Sequence, residues 1–400
     1  MAAIKYWVWL SALRMRPRAK QLLLEHMHGD PEALYYAEEK ALRAVEGIRA
    51  EDLVYLSQHE TRTAEAIIDA CRADDITMIT VQDAQYPERL KNIYDPPMVL
   101  YVKGRLPNLD DEAAIAVAGT REASPYGLRY ARKFGYGLAK CGAVIISGLT
   151  RGIDRTAAEG ALMAEGTVVG VLGTGLDEAK GALYEDVLTR GALVSEYPPG
   201  GHYSKANFRF RNRITAGLSA GVLIVEAPEK SGALLLAGDA LEQGKEIFTI
   251  PANADALSFR GNMNLLRDGA IMVYEPWQVL EDFSQMYGHV HWEDVSDAPE
   301  YVPAEQKKYA DFVTVRSTPV KKVIDKPKSV TYIDWEQEKE HLSDLQKQII
   351  ELLQRGPAQI DDLIEVLDQP APTILPELTL LEIEGLIHQT PGKQFVIHEN

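Results

Sequence analysis

Apolar residues fall in two rhythms along this chain. Between about 112 and 250 they come as short unbroken runs, each followed by a turn rich in Gly, Ser or Thr or by a Pro, with helical periods between. The runs are Ala113–Ala118, Ala143–Ile146, Thr167–Leu172, Ala192–Glu196, Val222–Val225 and Glu246–Ile250. Runs this short and continuous read as strands buried on both faces. Their alternation with helices predicts an α/β domain, a doubly wound and mostly parallel sheet. Two further strand candidates, Thr77–Val81 and Met98–Val102, precede them.

The flanks follow the helical rhythm. In residues 1–75 apolar positions recur at helical spacing around Leu22-Leu23-Leu24 and Leu34-Tyr35-Tyr36. Asp30-Pro31 reads as a helix start, because Pro fits the first helical position. Beyond Glu281 the period fades. Residues 306–330 hold seven Lys or Arg against two Asp, and residues 285–340 read as an extended or disordered linker. A last module begins at 341. It has a helix over Leu345–Leu353, a break at Gly356-Pro357, a helix from Ile360-Asp361-Asp362 and a third over Leu375–Glu384. Gly385–Ile387 and Gln394–Ile397 then read as a hairpin. That order predicts a winged helix. The domain plan is therefore 1–75, 76–284, 285–340 and 341–400.

Four hundred residues, 46% of them hydrophobic, suffice for two to four domains with real cores. The two cysteines, Cys71 and Cys141, form no motif, which fits a reducing cytoplasm. No apolar run approaches the ~18 residues a membrane span needs, and none resembles a secretory signal. The net charge of −17 argues against coating nucleic acid with the whole surface. It allows a focused basic groove, since the local field governs phosphate contact.

Such a groove has a candidate. From Tyr197 to Val225 there is no Asp or Glu, yet Lys205, Arg209, Arg211 and Arg213 are there, interleaved with Phe208, Phe210 and Asn212. The turns after the strands supply more: Gly119-Thr120-Arg121, Ser147-Gly148 with Arg151, and Gly173-Thr174-Gly175. In an open parallel sheet these turns share the edge where ligands bind. Small residues there let backbone N–H groups face a phosphate. Phe208 either plugs the start of a helix or stacks on a base. Arg211 and Arg213, two apart, cannot share one helix face, so at most one or two of the three arginines reach the same phosphate and the others can pair with acidic residues such as Glu196 or Glu226. Other chemistries lack their signatures. Gly119 does not open a dinucleotide fingerprint, and no acidic residue ends the second strand for a ribose. Walker A, nucleophile-elbow and metal-ligand spacings are absent, so no cofactor or metal is expected. His202 has no carboxylate or Cys partner in sequence and reads as a solvated loop residue.

At these residues the chain resembles the DNA-processing protein A family (DprA, also called Smf). The likeness covers about residues 80–275. It includes Asp83–Pro87 with Pro96-Pro97, Gly119-Thr120-Arg121, Ser147–Asp154, Gly173–Asp177, Ser195–Gly200, Phe208–Ser219, Val225–Ala227 and Gly261–Leu266. The resemblance implies a sterile-alpha-motif-like helical module, an extended Rossmann domain and a winged helix. It implies a cytoplasmic, non-enzymatic homodimer that binds incoming single-stranded DNA during natural transformation, protects it and loads the RecA recombinase. By the family motifs, Arg121 matches the arginine of Gly-x-Arg. Lys205 and Phe208 match a lysine and aromatic that grip phosphate and base. Arg211, Asn212 and Arg213 match an Arg-Asn-Arg signature. Departures at Ala157–Glu159, Glu178–Gly181, Leu236-Ala237 and Ala252 leave Arg121, Lys205 and Phe208 untouched.

Two other classes stay open: a nucleotide-processing enzyme of the lysine-decarboxylase-like Rossmann type, and a scaffold whose basic island holds an acidic protein. For the C-terminal module the charge decides more. From Asp344 to Glu384 nine acidic residues face two basic ones, unsuited to entering a phosphate-lined groove. The module reads as a protein-contact or regulatory element. The fragment 340–400 is expected to leave duplex DNA unshifted at physiological salt in an electrophoretic titration; a shift would contradict that reading.

Overall fold

The computed structural model describes residues 2–56, 60–201, 204–293, 295, 298–299, 301, 342–353, 358–367, 369–383, 386–389 and 394–397. His202, Gly356-Pro357, Gly385 and residues 302–340 of the expected linker lie outside the described residues. The chain forms two compact units, Met1–Arg316 and Ser317–Asn400, described in turn.

The first unit opens with six helices: α1 (Ala2–Ala12), α2 (Pro17–His26), α3 (Pro31–Tyr36), α4 (Glu39–Leu42), α5 (Ala50–Leu56) and α6 (Arg62–Ala73). Asp30 caps α3 as its sequence requires, its carboxylate accepting from the N–H groups of Glu32 and Ala33. Arg16 and the buried Asp52 form an ion pair between the start of α2 and α5, and Arg49 N–H donates to the same carboxylate at 2.9 Å. The apolar face of these helices does not form a core of its own. Trp7, Val8, Trp9 and Leu10 join Tyr101, Ile115 and Phe134 in one continuous cluster.

The sheet follows. Its elements are β1 (Thr77–Thr80), α7 (Glu88–Lys91), β2 (Val99–Gly104), β3 (Ala114–Ala118), α8 (Pro125–Lys140), β4 (Val144–Ser147), α9 (Ile153–Met163), β5 (Val168–Leu172), α10 (Ala182–Arg190) and β6 (Ala192–Ser195). Then come α11 (Lys205–Gly217), β7 (Gly221–Ile224), α12 (Gly232–Glu242), β8 (Glu246–Thr249), α13 (Arg260–Arg267), β9 (Ile271–Met272) and α14 (Trp277–Leu280). The nine strands lie in the order β1-β2-β6-β5-β4-β3-β7-β8-β9. From β6 to β9 every pairing is parallel, while β2 runs antiparallel to both β6 and β1. All eight expected strands are present. The short edge strand β9, only two residues long, carries too little pattern to be read.

β3, β4, β5 and β7 are buried along their whole length, so both faces of the sheet are covered. One side holds the cluster shared with α1–α6, α8 and α9. The other packs Ala116, Ile146, Val171 and Val222 under α11 and α12. Winding reverses at β3: the chain steps outward through β4, β5 and β6, then returns to β7 on the other side. The crevice between β3 and β7 is therefore the topological switch point, where such sheets leave room for a ligand.

A buried asparagine fixes that crevice. Asn262 on α13 accepts from Ala227 N–H at 2.8 Å and donates to the carbonyls of Ile224 and Val225 and to Thr249 Oγ1. It ties the exits of β7 and β8 to one helix and sets the start of the β7–α12 loop.

A few residues early in the expected linker are anchored to the first unit. Val290 and Val295 are buried, His291 N–H donates to Cys141 O at 3.1 Å, and the Tyr301 hydroxyl bonds Asp186. These anchors are isolated residues without a period, which is why the segment reads as unstructured.

In the second unit α15 (Asp344–Leu353), β10 (Ala358–Gln359), α16 (Ile360–Leu367), α17 (Ala371–Ile383), β11 (Ile387–Gln389) and β12 (Gln394–Ile397) form a winged helix. Its three strands pair in the order β10-β12-β11, over a core that includes Ile349, Leu363, Ile374 and Leu378.

Replacing Asn262 by Ala removes four side-chain hydrogen bonds and orphans buried backbone groups. Asn262→Ala is expected to cost about 3 kcal/mol of stability, read as a lower urea midpoint with an unchanged slope.

Candidate functional site

Four segments converge on the switch point. They are the β3–α8 turn, the β4–α9 turn, the start of α11 and the β7–α12 turn, and they enclose a cleft of about 440 Å³. Its lining includes Gly119, Thr120, Arg121, Gly148, Arg151, Lys205, Phe208, Arg211 and Asn212, nine of the eleven residues expected from sequence. Ser147 and Arg213 are elsewhere.

Each turn is held by backbone bonds. Thr120 N–H donates to Glu226 O at 2.7 Å and Thr120 O accepts from Ile153 N–H at 3.2 Å. Gly119 N–H donates to Asp154 at 3.2 Å. Gly152, at φ +86°, caps α9, and a side chain there would run into Thr120 O and the Arg121 backbone. Three helices begin beside the cleft with a serine cap. The hydroxyls of Ser124, Ser204 and Ser231 accept from Gly127, Asn207 and Ala233 N–H. The positive ends of α11 and α12 line the cleft directly.

The floor is a buried acid facing a buried base. Asp154 accepts from Gly119 N–H and from the Thr150 hydroxyl at 3.0 Å. Burial pushes its carboxyl above the ordinary carboxylate range, opposed by Arg211, by those two bonds and by Arg121. Arg211, 6% exposed, donates through Nη1 to Val171 O at 2.8 Å. Burial lowers its guanidinium from the ordinary arginine value, and Asp154 opposes that. Gly148 makes the meeting possible, since a Cβ there would lie inside contact distance of both Arg211 Nη1 and Asp154 Oδ2. Gly148 thus lines the cleft and also leaves room for this packing. Ser147 is likewise fully buried, donating to Asp154 O at 2.9 Å and accepting from Leu149 N–H.

Above the floor lies Phe208, half-buried against Gly173, with the Arg121 and Arg211 guanidiniums 5.1 and 5.6 Å from its ring centre. Its ring therefore packs as part of the structure and also lines the cleft. Arg121, Lys205, Arg209 and Lys230 line the cleft, are exposed, and make no ion pair among the described residues. Arg151 is at the rim, paired with Glu122 at 3.1 Å. Asn212 approaches Gly232 O at 3.5 Å, orienting the start of α12.

The three alternating arginines have three fates. Arg209 stays in solvent and Arg211 goes to the floor. Arg213 points away from the cleft, to Asp95 at 2.9 Å and Glu196 at 2.6 Å. Burial opposes its charge, but those carboxylates hold its guanidinium above the ordinary value. Glu226, the other carboxylate expected to pair with an arginine, instead accepts from Ser124 N–H and its hydroxyl, both at 2.9 Å. Lys230, Thr150 and Asp154 were not singled out as site residues. Lys230 sits beside Glu229 in sequence, which cancels its charge signal.

Gly148→Ala is expected to push Arg211 off the floor and lower the thermal midpoint by several degrees. An unchanged midpoint would contradict the packing described here.

The site's motifs can be set beside known proteins. Residues 77–284 match the family described as DNA recombination-mediator protein A, and residues 336–393 match the DprA winged helix domain. Protein Smf of Synechocystis sp. is 33% identical over 329 residues, 79% of each chain. DNA processing protein DprA of Streptococcus pneumoniae is 38% identical over 209 residues, 51% of this chain and 73% of that one. The X-ray structure of DNA processing protein A from Streptococcus pneumoniae superposes with a TM-score of 0.59 at 28% identity, covering 72% of this chain and 97% of that one. With its sheet domain and its winged helix both matched, the chain belongs to the DNA-processing protein A (DprA/Smf) family.

Proposed function

We propose that this protein binds single-stranded DNA in the cleft at the carboxyl edge of its sheet. One observation carries the reading. Four cations that make no ion pair among the described residues, Arg121, Lys205, Arg209 and Lys230, line one cleft together with the half-buried ring of Phe208, in a chain of net charge −17. Phosphates run over the cations and a base stacks on Phe208, a contact that tolerates any sequence. The printed names of the relatives, DNA processing protein and DNA recombination-mediator protein, support DNA as the ligand.

In this reading Arg211 acts from beneath, adding positive potential and steadying Phe208. Gly119, Thr120, Ser147, Gly148 and Asn212 shape the turns. Arg151 meets the strand at the rim, and Arg213 anchors α11. Family membership supports the wider role: protecting incoming strands in the cytoplasm during natural transformation, loading the RecA recombinase and working as a homodimer. The activity is binding rather than catalysis; release of free base from nucleoside monophosphates by the purified protein would argue for the enzyme reading instead.

Arg121→Ala with Lys205→Ala is expected to weaken single-strand binding by more than tenfold. It should also lower the slope of log affinity against log salt by about 1.4, since each phosphate contact on a single strand contributes about 0.7. Both residues are exposed and make no ion pair among the described residues, so the thermal midpoint should hold. A double variant that still shifts single-stranded DNA like the parent protein would remove the reading.

A further inference from the structure

Helix α11 carries more than the cleft uses. At about 100° per residue, Phe208 faces the cleft, Lys205 lies about 60° further round, Arg209 another 40° and Phe210 a further 100°. In the first turns of α11 the three positions beyond Phe208 reach solvent: Lys205 and Arg209 are exposed and Phe210 leaves 55% of its surface in solvent, while one turn on Asn212 is buried and Arg213 partly buried. Over those first turns the solvent side of α11 runs from an aromatic ring, over two cations, to a second ring. Neither cation makes an ion pair among the described residues.

A further exposed ring belongs to the segment that Arg213 holds. Arg213, one turn beyond Phe210, pairs with Asp95, and the residue before it, Tyr94, is 79% exposed. The Tyr94 carbonyl accepts from Gln21 on α2 at 3.2 Å, which fixes its backbone. Arg213 holds both Asp95 and Glu196, so these two carboxylates already have a cationic partner.

We infer that single-stranded DNA leaving the cleft crosses over α11 along Lys205 and Arg209 and stacks on a second aromatic platform made by Phe210 and Tyr94. The inference rests on the cleft being the single-strand site. It adds a direction of travel and a dependence on strand length. A short oligomer fills the cleft alone, whereas a longer one reaches both platforms.

The test uses the full chain with oligothymidylates of about 4 and about 16 nucleotides, a span of single-strand site sizes. Phe210→Ala combined with Tyr94→Ala should weaken binding of the long oligomer about tenfold and leave the short one unchanged. Phe208→Ala should weaken both. Phe210→Trp keeps a ring, should retain the long-oligomer affinity, and should have its emission quenched by the long oligomer only. Equal affinity of the Phe210/Tyr94 variant and the parent for the long oligomer overturns the second platform while leaving the cleft reading intact. Equal weakening at both lengths also overturns it. If the parent chain binds neither oligomer, both proposals fall together.

Discussion

The cleft depends on one buried electrostatic attraction, that of the Asp154 carboxylate for the Arg211 guanidinium beneath the sheet's switch point. A buried carboxylate is costly unless its oxygens are satisfied. Asp154 meets that demand by taking the Gly119 N–H and the Thr150 hydroxyl, which pins the β3–α8 and β4–α9 turns to each other. Arg211 answers with its bond to Val171 O, which pins α11 to β5. Removing either partner would leave the other as an uncompensated buried charge, the more damaging outcome for such pairs. Gly148 is the spatial condition for the contact.

From that floor the upper site follows. The Arg211 guanidinium approaches the ring of Phe208 from within the protein, and Arg121 approaches it from the β3–α8 turn. Cations over an aromatic face are attracted to its quadrupole. The ring is thereby oriented while part of it remains exposed. The surrounding cations keep their charge available because the acidic residues nearby are already engaged: Glu226 by Ser124, Glu122 by Arg151, and Asp95 and Glu196 by Arg213. This is how a strongly acidic chain maintains a positive cleft. Its carboxylates are assigned to structural partners at that edge, and the local field is set by what remains.

Much of this was legible in the sequence. The buried strands announced themselves as unbroken apolar runs, and the doubly wound plan followed from their alternation with helices. The serine before each of α8, α11 and α12 is a local capping signal. The basic island was visible because charge and aromatic content are properties of a contiguous segment. Lys230 was not visible, since Glu229 beside it hides the charge in sequence while the two side chains occupy different space. The anchored residues Val290 and Tyr301 were hidden for a related reason: they are single residues without a period along the chain.

The sequence by itself determined the elements, their order and the edge of the sheet where a ligand belongs, because periodicity, caps and turn residues act through neighbours along the chain. Only the tertiary structure decided what each charge does. Arg209, Arg211 and Arg213 look equivalent as a repeat of alternating arginines. One stands in solvent, one lies in the floor against Asp154, and one is held by Asp95 and Glu196. A guanidinium's role is set by the carboxylates and the solvent within a few ångströms of it, and those neighbours come from strands and turns that only folding brings together.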